Sequence, residues 1–339
     1  MKTAVIILNW NGQKLLEEFL PTVLQHSQSD DTKVVVADNG STDNSVEYLK
    51  TNFPEVPLII FEENYGFADG YNKAIEQVDA EYVVLLNSDV ETTPDWISTL
   101  INYMDANPGV AAVQPKILSQ LQKSHFEYAG AAGGYIDRYG YPFCRGRILG
   151  NLEEDRGQYD TQAPIFWATG ACFCIRRKDY LNVGGLDGRF FAHMEEIDLC
   201  WRLNARGYIV ECVPQSTVYH VGGASLAMES PRKTYLNFRN NLLMLYKNVP
   251  SDRLAATMFV RFFLDILAFV HFLVRGKANN AMAVVGAFRD YLKMKPEFRD
   301  SRNENQQKAI TKHIGTIYNK SILWSYYALG KRRFSNLNR

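Results

Sequence analysis

Short apolar runs alternate with amphipathic stretches over the first hundred or so residues. The runs are residues 4–8, 34–37, 58–61, 82–86 and 110–113. Each run has the length of a buried strand, and the stretches between them repeat their apolar positions at helical spacing. Strands that alternate with helices in this way are typical of a mostly parallel sheet with helices on both faces. The pattern therefore predicts a doubly wound α/β domain.

Polar residues follow the ends of these runs, at Asn9, at Asp38 and Asn39, at 62–64 and at 87–89. In sheets of this kind, ligands bind at the carboxyl ends of the strands. The chain contains neither G-x-G-x-x-G nor G-x-x-x-x-G-K-[ST], the phosphate-binding loops of dinucleotide-binding domains and of P-loop NTPases. We therefore expect phosphates to be held in another way.

The pattern is less regular after the fifth run. Residues 120–163 are rich in Gly, Tyr and charge and show little periodicity, which predicts a long functional loop or a small hairpin. A helix with an acidic start is predicted at about 195–207, and a strand at 209–213. After about Pro231 the pattern is helical and predicts no further strand.

Seven segments follow one another along roughly the first 230 residues. They are ILNWNG, DNGSTDNS, NYGFADGYN, LLNSDV, ATGACFCIRR, MEEIDLCWR and VYHVGG. Together they resemble the inverting family 2 glycosyltransferases of the GT-A fold, in particular the bacterial rhamnosyltransferase-like branch. The resemblance implies a doubly wound, mostly parallel GT-A sheet with a C-terminal helical extension. It also implies transfer of a sugar from a nucleotide diphosphate donor to a hydroxyl of a glycan or lipid-linked acceptor in cell-surface polysaccharide synthesis.

Nucleotide-binding residues are implied at the first two strand ends and in the third segment. Asp38 resembles the carboxylate that binds the base, with Asn9 and Asn39 beside it, and a carboxylate suits the imide N–H of a pyrimidine. The alternative is that Asp38 and residues 41–43 form a turn and cap the next helix. Asn72 is the implied nucleotide contact of the third segment.

Metal ligands are implied after the fourth run, where the family carries a D-x-D-type motif. Here Asn87 stands in place of the first Asp and is expected at the nucleotide, so Asp89 carries most of the metal contact. Such oxygen ligands, together with waters, suit Mg²⁺ or Mn²⁺. A helix cap ahead of residues 92–94 is the alternative for Asp89. The resemblance also implies that His220 completes the metal site, although a lone histidine is more often structural.

The acidic helix start matches the family segment E-D-x-D-L-x-x-R, with Glu196 where most members have Asp. In an inverting transfer, a carboxylate removes the proton of the acceptor hydroxyl while that oxygen attacks the anomeric carbon from the face opposite the leaving diphosphate. The resemblance implies Glu196 as this base. Because glutamate is one methylene longer than aspartate, Asp198 is the alternative base. Asp198 and Arg202 are i and i+4 neighbours on a helix, so an ion pair is the structural alternative for them.

Sugar-binding residues are implied near the same helix. Thr169 and Gly170 resemble the strand end beside the donor sugar, and the resemblance places Glu195 and Arg202 with the donor and acceptor sugars. Trp167 can stack on a sugar face or serve as a buried aromatic. Both interpretations of Trp167 stay open.

Composition and charge indicate a folded protein with two unlike parts. With 46% hydrophobic and 22% charged residues, the chain is not of a disordered class. The 37 basic and 37 acidic residues cancel, yet 20 basic and 7 acidic residues lie from position 229 onward. We expect a GT-A catalytic domain at 1–228 and a basic helical domain at 229–339. The asymmetry indicates an anionic partner for the last third, which is either a membrane surface or a nucleic acid. Of these we expect the membrane surface and no nucleic acid.

The tail carries one long apolar segment. Residues 254–274 include 17 apolar residues and four polar ones, Thr257, Arg261, Asp265 and His271. The length would span a bilayer, but at 100° per residue the polar positions fall within an arc of roughly 120°. An amphipathic helix on a membrane surface is therefore predicted, with a dimerisation module as the alternative.

The cysteines and the N-terminus bear on the cellular compartment. Five cysteines form no C-x-x-C pair, and the first apolar run leads into polar residues and a helical pattern rather than a cleavage site. These features favour a reducing compartment and a first strand instead of a signal peptide. We expect a cytoplasmic protein associated peripherally with the inner membrane face.

Two other functions remain as alternatives at this level. A nucleotidyltransferase also combines an α/β nucleotide fold with a metal-binding aspartate, but it usually needs a glycine-rich basic loop where this chain reads NWNGQK. The second alternative is a non-catalytic sugar-nucleotide-binding scaffold. Its support is that Asn87 and Glu196 stand where many family members have Asp. Hydrolysis of the donor without an acceptor would separate an enzyme from a scaffold.

Overall fold

The structure is a computed structural model that describes residues 1–27, 29–222 and 230–337. Its strands are β1 (Thr3–Asn9), β2 (Thr32–Asp38), β3 (Leu58–Ile60), β4 (Tyr82–Asn87), β5 (Val90–Thr92), β6 (Val110–Ser119), β7 (Gly134–Asp137), β8 (Pro142–Cys144), β9 (Arg147–Ile148), β10 (Asn151–Leu152), β11 (Ala163–Pro164), β12 (Cys172–Arg176), β13 (Ile209–His220) and β14 (Ile317–Tyr318). Its α-helices are α1 (Gln13–Ser27), α2 (Ser45–Asn52), α3 (Gly66–Glu76), α4 (Trp96–Ala106), α5 (Arg177–Asn182), α6 (Glu195–Ala205), α7 (Pro231–Asn248), α8 (Ser251–Val274), α9 (Ala278–Met294), α10 (Arg299–Lys308) and α11 (Ile322–Tyr327). Short 3₁₀ helices lie at Gly188–Phe190, Lys295–Phe298 and Phe334–Asn336.

The central sheet has the strand order β11-β13-β6-β12-β4-β1-β2-β3, and β5 pairs with β13. Strands β4, β1, β2 and β3 are mutually parallel, whereas β12 is antiparallel to both of its neighbours. The five apolar runs of the sequence form β1, β2, β3, β4 and β6. The predicted mostly parallel α/β sheet is confirmed.

Alternate side chains of the central strands enter two separate cores. Ala4 and Ile6 of β1 pack in the core that includes side chains of α3 and α6, while Val5 and Ile7 pack in the core that includes side chains of α1 and α4. Both faces of the strand are therefore buried. This explains why these strands are continuous apolar runs in the sequence rather than alternating ones.

The register of the sheet gathers the polar strand ends at one edge. Asn9 lies opposite Asp38, and Leu8 lies opposite Asn87. The carboxyl ends of β1, β2 and β4 therefore meet, as the pattern predicts for a ligand-binding edge.

A second sheet has the strand order β10-β9-β8-β7-β14, and four of its five strands come from the irregular region 120–163. β7 and β8 form a hairpin, as predicted, but β14 comes from residues beyond Pro231, where no strand is predicted, and pairs in parallel with β7. That expectation is wrong because a two-residue strand has no periodicity and forms only where a sheet edge is available to it. The carboxylate of Asp137 reinforces the junction by accepting a hydrogen bond from the backbone N–H of Ile322 at 2.9 Å.

The C-terminal helices are packed into the rest of the protein. The boundary expected between residues 228 and 229 lies outside the described residues. Beyond it, Asn241 of α7 donates a hydrogen bond to the carbonyl oxygen of Gly140 at 2.6 Å. Phe334 packs against Tyr135 and Tyr159. These C-terminal residues therefore complete the hydrophobic core beside the second sheet.

Helix α8 turns three of its four polar residues inward, while His271 near its end is exposed. Thr257, Arg261 and Asp265 are buried, and Arg261 donates to the carbonyl oxygen of Tyr139 at 2.9 Å and pairs with Asp265. The opposite face exposes apolar side chains, namely Phe259, Phe263, Leu267, Val270 and Val274. Among the helices that the structure describes, α8 is the one with the length and composition to cross a membrane.

Candidate active site

Asp38 lies at the centre of a hydrogen-bonded turn. Its carboxylate accepts hydrogen bonds from the side chain of Asn9 at 2.9 Å and from the backbone N–H and hydroxyl of Ser41 at 2.9 and 2.7 Å. The turn proposed as the alternative role of Asp38 is therefore present. Asn9 also has a buried side-chain oxygen without a hydrogen-bond donor among the described residues. This buried oxygen would gain a hydrogen bond if a ligand brought a donor to it.

Two other predicted nucleotide contacts have partners of their own. Asn39 donates to the carbonyl oxygen of Gly66 at 2.9 Å, which joins the end of β2 to the start of α3. Asn72 donates to the carbonyl oxygen of Leu186 at 2.9 Å and accepts from the hydroxyl of Tyr180 at 2.5 Å. Asn72 is thus engaged with the loop ahead of α6, and its expected contact with a nucleotide stays a prediction.

Asp89 and His220 meet because β5 pairs with the end of β13, where His220 lies opposite Val90. Oδ1 of Asp89 lies 3.1 Å from Nε2 of His220, and the side-chain nitrogen of Asn87 lies 3.4 Å from the same ring atom. On the other side of the ring, Nδ1 lies 3.4 Å from Oε2 of Glu127, a residue absent from the predicted site. The structure therefore brings all three predicted residues of this edge together.

The two carboxylates around His220 determine its charge when no metal is bound. Burial favours the neutral imidazole, but Asp89 and Glu127 outweigh burial and raise the pKa of His220 to about 10. In turn, His220 holds the pKa of Asp89 below its ordinary value, although burial of that carboxyl acts in the opposite direction. The imidazolium thus occupies a site of negative potential, where a metal cation would also be favoured.

This edge fits a divalent cation that is completed by substrate. Within the described residues, no group of three or more His, Cys, Asp and Glu side chains is arranged to hold a metal. Asp89 and His220 offer two donor atoms 3.1 Å apart, and two ligands at right angles around Mg²⁺, each about 2.1 Å from it, are about 3 Å apart. The remaining ligands would come from phosphate oxygens and waters, as is usual for Mg²⁺ at nucleotide sites.

Helix α6 begins with two carboxylates that have few partners. Glu195 is buried, and one oxygen of each carboxylate, Glu195 and Glu196, is buried without a hydrogen-bond partner among the described residues. Burial raises the pKa of Glu196 to about 7, against the smaller opposite effect of the backbone N–H groups of Glu196 and Gly170. Burial and the neighbouring Glu196 raise the pKa of Glu195 well above its ordinary value. A carboxyl with such a pKa can take up and release a proton near neutral pH.

The backbone joins Glu196 to the edge where Asp89 and His220 meet. Gly170 faces the carboxylate of Glu196, and the carbonyl oxygen of the next residue, Ala171, accepts a hydrogen bond from the N–H of Asn87 at 3.1 Å. Gly170 also lacks room for a side chain, because a Cβ there would lie 2.6 Å from the ring of Phe67. Glu196 and Asn87 are therefore linked by two consecutive residues.

Asp198 and Arg202 form the ion pair predicted as their structural alternative. Asp198 is fully buried and pairs with Arg202 at 2.9 Å and with Lys247 of α7 at 2.8 Å. It also accepts a hydrogen bond from Asn248 at 2.7 Å. Arg202 in turn donates to the carbonyl oxygen of Gly185 at 2.7 Å. Arg202 also lines a small cavity together with Lys247, so its expected contact with a sugar stays a prediction.

Trp167 is a buried aromatic rather than an exposed one. Its indole N–H donates to the carbonyl oxygen of Tyr135 at 3.0 Å, and its ring covers Gly134, where a Cβ would lie 2.1 Å from the ring. Thr169 is buried nearby, and its N–H donates to Gln114 at 3.1 Å. The structure thus supports the buried-aromatic alternative for Trp167.

Two residues near the site are missing from the sequence-based prediction. Glu127 lies in the irregular region, where no periodicity indicates which side chains point inward. Trp10 follows Asn9 directly and is 52% exposed at the ligand-binding edge. The position of Trp10 directly after the candidate nucleotide contact Asn9 was visible in the sequence. That the ring is exposed there is known only from the fold.

Comparisons with known proteins identify the family of this chain. The family model described as Glycosyl transferase family 2 matches residues 4–183. An N-acetylglucosaminyl-diphospho-decaprenol L-rhamnosyltransferase of Mycobacterium tuberculosis is 27% identical over 230 residues, covering 64% of this chain and 75% of that protein.

Solved structures show a similar fold. TarS 1-349 of S. aureus in complex with UDP-GlcNAc matches with a TM-score of 0.55 and 16% identity, over 91% of this chain and 89% of that one. GalNAc-T7 with UDP, GalNAc and Mn²⁺ matches with a TM-score of 0.56 and 15% identity, over 73% of this chain and 48% of that longer one. Since the family match covers more than half of the chain, the chain belongs to glycosyl transferase family 2 and is a glycosyltransferase of the GT-A fold.

Proposed function

We propose that the chain is an inverting glycosyltransferase that moves a sugar from a nucleotide diphosphate to a hydroxyl of a lipid-linked glycan in cell-surface polysaccharide synthesis. The observation that carries the proposal is the carboxylate of Glu196. It has a buried oxygen without a partner in the described chain, its pKa is raised to about 7, and it is linked through Gly170 and Ala171 to the edge that holds Asp89 and His220. A base and a phosphate-binding edge so close together suit displacement of a diphosphate by a hydroxyl.

In this proposal, Glu196 accepts the proton of the acceptor hydroxyl. The C–O bond from that oxygen to the anomeric carbon forms while the bond to the diphosphate oxygen breaks, which inverts the anomeric configuration. Asp198, buried between Arg202 and Lys247, keeps α6 in place and takes no proton. This assignment favours Glu196 over the alternative base.

The nucleotide occupies the edge formed by the first two strand ends. The free side-chain oxygen of Asn9 and the carboxylate of Asp38 accept hydrogen bonds from the base. The exposed indole of Trp10 offers an aromatic face beside them. Asn87 lies one strand away, where it can reach the diphosphate.

Mg²⁺ or Mn²⁺ is held by Asp89 and His220 in this proposal. When bound, the cation would neutralise the negative charge that develops on the departing diphosphate. The presence of Mn²⁺ in the GalNAc-T7 complex supports the idea.

Asp89→Ala is expected to abolish Mn²⁺-dependent donor binding while the fold stays intact. Calorimetric titration of a nucleoside diphosphate with and without Mn²⁺ measures this, and an unchanged Mn²⁺-dependent affinity would contradict the metal role.

The acceptor class follows from the rhamnosyltransferase relative, whose name gives a diphospho-decaprenol acceptor. We propose a polyprenyl diphosphate-linked sugar as acceptor and a hexose or deoxyhexose as the transferred sugar.

The test of the proposed function is transfer from a panel of labelled nucleotide sugars, with Mn²⁺, to synthetic polyprenyl diphosphate-linked GlcNAc. We expect one labelled lipid product, and NMR of its new linkage should show an anomeric configuration inverted relative to the donor. Retention of configuration, or binding of donors without any transfer or hydrolysis, would contradict the proposal.

Membrane association is proposed for α8. The exposed face of α8 carries Phe259 and Leu267, 66% and 63% exposed, and the basic side chains Arg253 and Arg275 are exposed at its two ends. An apolar face flanked by positive charge suits insertion into the headgroup region of an anionic bilayer. Because α8 packs on the protein through Arg261, we propose that it lies in the plane of the cytoplasmic membrane surface.

A further inference from the structure

A carboxylate that the proposed reaction does not use lies behind His220. The ring of His220 sits between two carboxylates: Nε2 is 3.1 Å from Asp89, and Nδ1 is 3.4 Å from Glu127. Glu127 is 6% exposed. Its contact with Nδ1 is an ion pair without the alignment of a well-formed hydrogen bond. Only the Asp89 side of the ring faces the candidate metal position.

The carboxylate of Glu127 is fixed from several directions. Its Oε2 accepts a hydrogen bond from the backbone N–H of Ala129, and its own N–H donates to the carbonyl oxygen of Ile117 at 3.1 Å. Gly222, two residues after His220, leaves room for it, because a Cβ at Gly222 would lie 2.6 Å from Oε1 of Glu127. The side chain is therefore held between a tight turn and the chain that leaves β13.

An imidazole presents a lone pair to a metal through one nitrogen only when its proton stays on the other. Carboxylate oxygens accept but do not donate when ionised, so Glu127 retains the proton on Nδ1. Without metal, Nε2 also carries a proton and faces the carboxylate of Asp89 at 3.1 Å. A cation held by Asp89 and His220 would take the place of that proton, while the Nδ1 proton stays with Glu127. Partners of this kind orient metal-binding histidines in many proteins, and their loss typically lowers metal affinity by about 10–100-fold.

We infer that Glu127 is a positioning residue of the metal site, holding the imidazole of His220 so that Nε2 and Asp89 point at one cation. The inference rests on the metal role proposed above for Asp89 and His220. It assigns a function to a residue of the irregular region between β6 and β7. Glu127 itself does not touch the metal or the substrate.

The experiment is a titration of the full chain with Mn²⁺ alone. The concentration of free Mn²⁺ is measured by electron paramagnetic resonance at each step. Glu127→Gln removes the charge and keeps the size of the side chain, and we expect its Mn²⁺ affinity to fall by about 10–100-fold. Glu91→Gln is the matched control, because Glu91 lies on β5 close to Asp89 but pairs outward with Lys123 at 2.6 Å. The control should bind Mn²⁺ like the unaltered chain.

A double-mutant cycle identifies the path of the effect. In a His220→Ala background, Glu127→Gln should cause no further loss of Mn²⁺ affinity, because the ring through which Glu127 acts is gone. Electron spin-echo modulation from a nitrogen bound to Mn²⁺ should be strong in the unaltered chain and reduced in Glu127→Gln. A purely structural role would leave this nitrogen signal unchanged.

Two results would overturn the inference while leaving the metal role intact: normal Mn²⁺ binding by Glu127→Gln, or an equal loss in the presence and absence of His220. If Glu127→Gln does not fold, the nitrogen signal of the unaltered chain decides, since its absence removes the reason for positioning the ring. Failure of the unaltered chain to bind Mn²⁺ both alone and with a nucleoside diphosphate present would overturn the proposed metal role and this inference together.

Discussion

At the scale of single residues, Glu196 and Asp198 show how two carboxylates on one helix acquire different surroundings. Asp198 is surrounded by Arg202, Lys247 and Asn248, so its charge is fully compensated. Glu196 has no cation among its described partners, and burial raises the pKa of its carboxyl. A base must be able to gain a proton, which favours the uncompensated carboxylate.

The first prediction concerns the substitution Glu196→Gln. The amide keeps the shape of the side chain and removes its basicity, so donor binding should persist while turnover falls by at least about 10²-fold. Steady-state kinetics with saturating donor, together with calorimetric donor binding, measure the two quantities. If Asp198→Asn produced the same loss of turnover without a loss of folding stability, the base would be Asp198.

The second prediction concerns pH. Since the active form of Glu196 is the carboxylate, and burial raises its pKa to about 7, the turnover number should fall as the pH decreases through about 7 and should level off above it. Below that point the expected slope is about tenfold per pH unit. A profile of kcat between pH 5 and 9 tests this. An inflection near 4, the ordinary range of a solvated carboxylate, would contradict the assignment.

At the scale of elements, helix α7 holds the start of α6. Phe191, His193 and Met194 have positive φ angles of 65°, 70° and 75° just before the helix, a backbone conformation that costs free energy at non-glycine residues. The side chain of Asn240 in α7 donates to the carbonyl oxygens of residues 190, 192 and 193 at 3.0, 2.8 and 2.8 Å. The strained loop, and with it Glu195 and Glu196, therefore depends on a C-terminal helix.

The third prediction concerns Lys247, which joins α7 to α6. Lys247 is buried and pairs with Asp187 at 2.7 Å and Asp198 at 2.8 Å. Lys247→Met leaves both carboxylates short of one cation and should lower the free energy of unfolding by about 3 kcal/mol, as for other broken buried pairs. Urea denaturation measures the change. Lys308→Met, which removes the exposed pair with Glu304, is the control and should cost about 0.5 kcal/mol or less.

At the scale of the whole molecule, the C-terminal part has two unlike surfaces. Its inner surfaces complete the core through β14 and Phe334, and its outer surface carries the apolar face of α8. Removing everything after residue 228 would therefore expose core residues as well as remove the proposed membrane contact. Substitutions confined to the outer face separate these two effects.

The fourth prediction concerns that outer face. The double substitution Phe263→Ser with Leu267→Ser should preserve folding and weaken binding to anionic vesicles, because each buried apolar side chain contributes roughly 1.5–3 kcal/mol. Vesicle flotation at low and high salt measures this: salt should remove the part due to basic residues and leave the apolar part. Leu121→Ser, at a highly exposed position in another region, is the control. Equal flotation of all variants, or a stable dimer that covers α8, would contradict the membrane proposal.

Local patterns in the sequence determined the strands and the polar residues at their ends. Runs such as residues 4–8 and 82–86 are recognisable because strands buried on both faces must be apolar throughout, and Asn9, Asp38 and Asn87 follow from where those runs stop. The amphipathic pattern of α8 is local in the same sense. Neighbouring residues along the chain are sufficient to specify each of these features.

Contacts between distant residues were decided only by the tertiary structure. The pairing of Glu127 with His220, the engagement of Asn72 with Leu186 and the strand β14 each join segments that are about 90 or more positions apart. The direction in which α8 turns its polar stripe depends on the partners that Arg261 finds in Tyr139 and Asn241. A periodic pattern specifies which side chains share a face, but the surface that the face meets is formed by the rest of the folded chain.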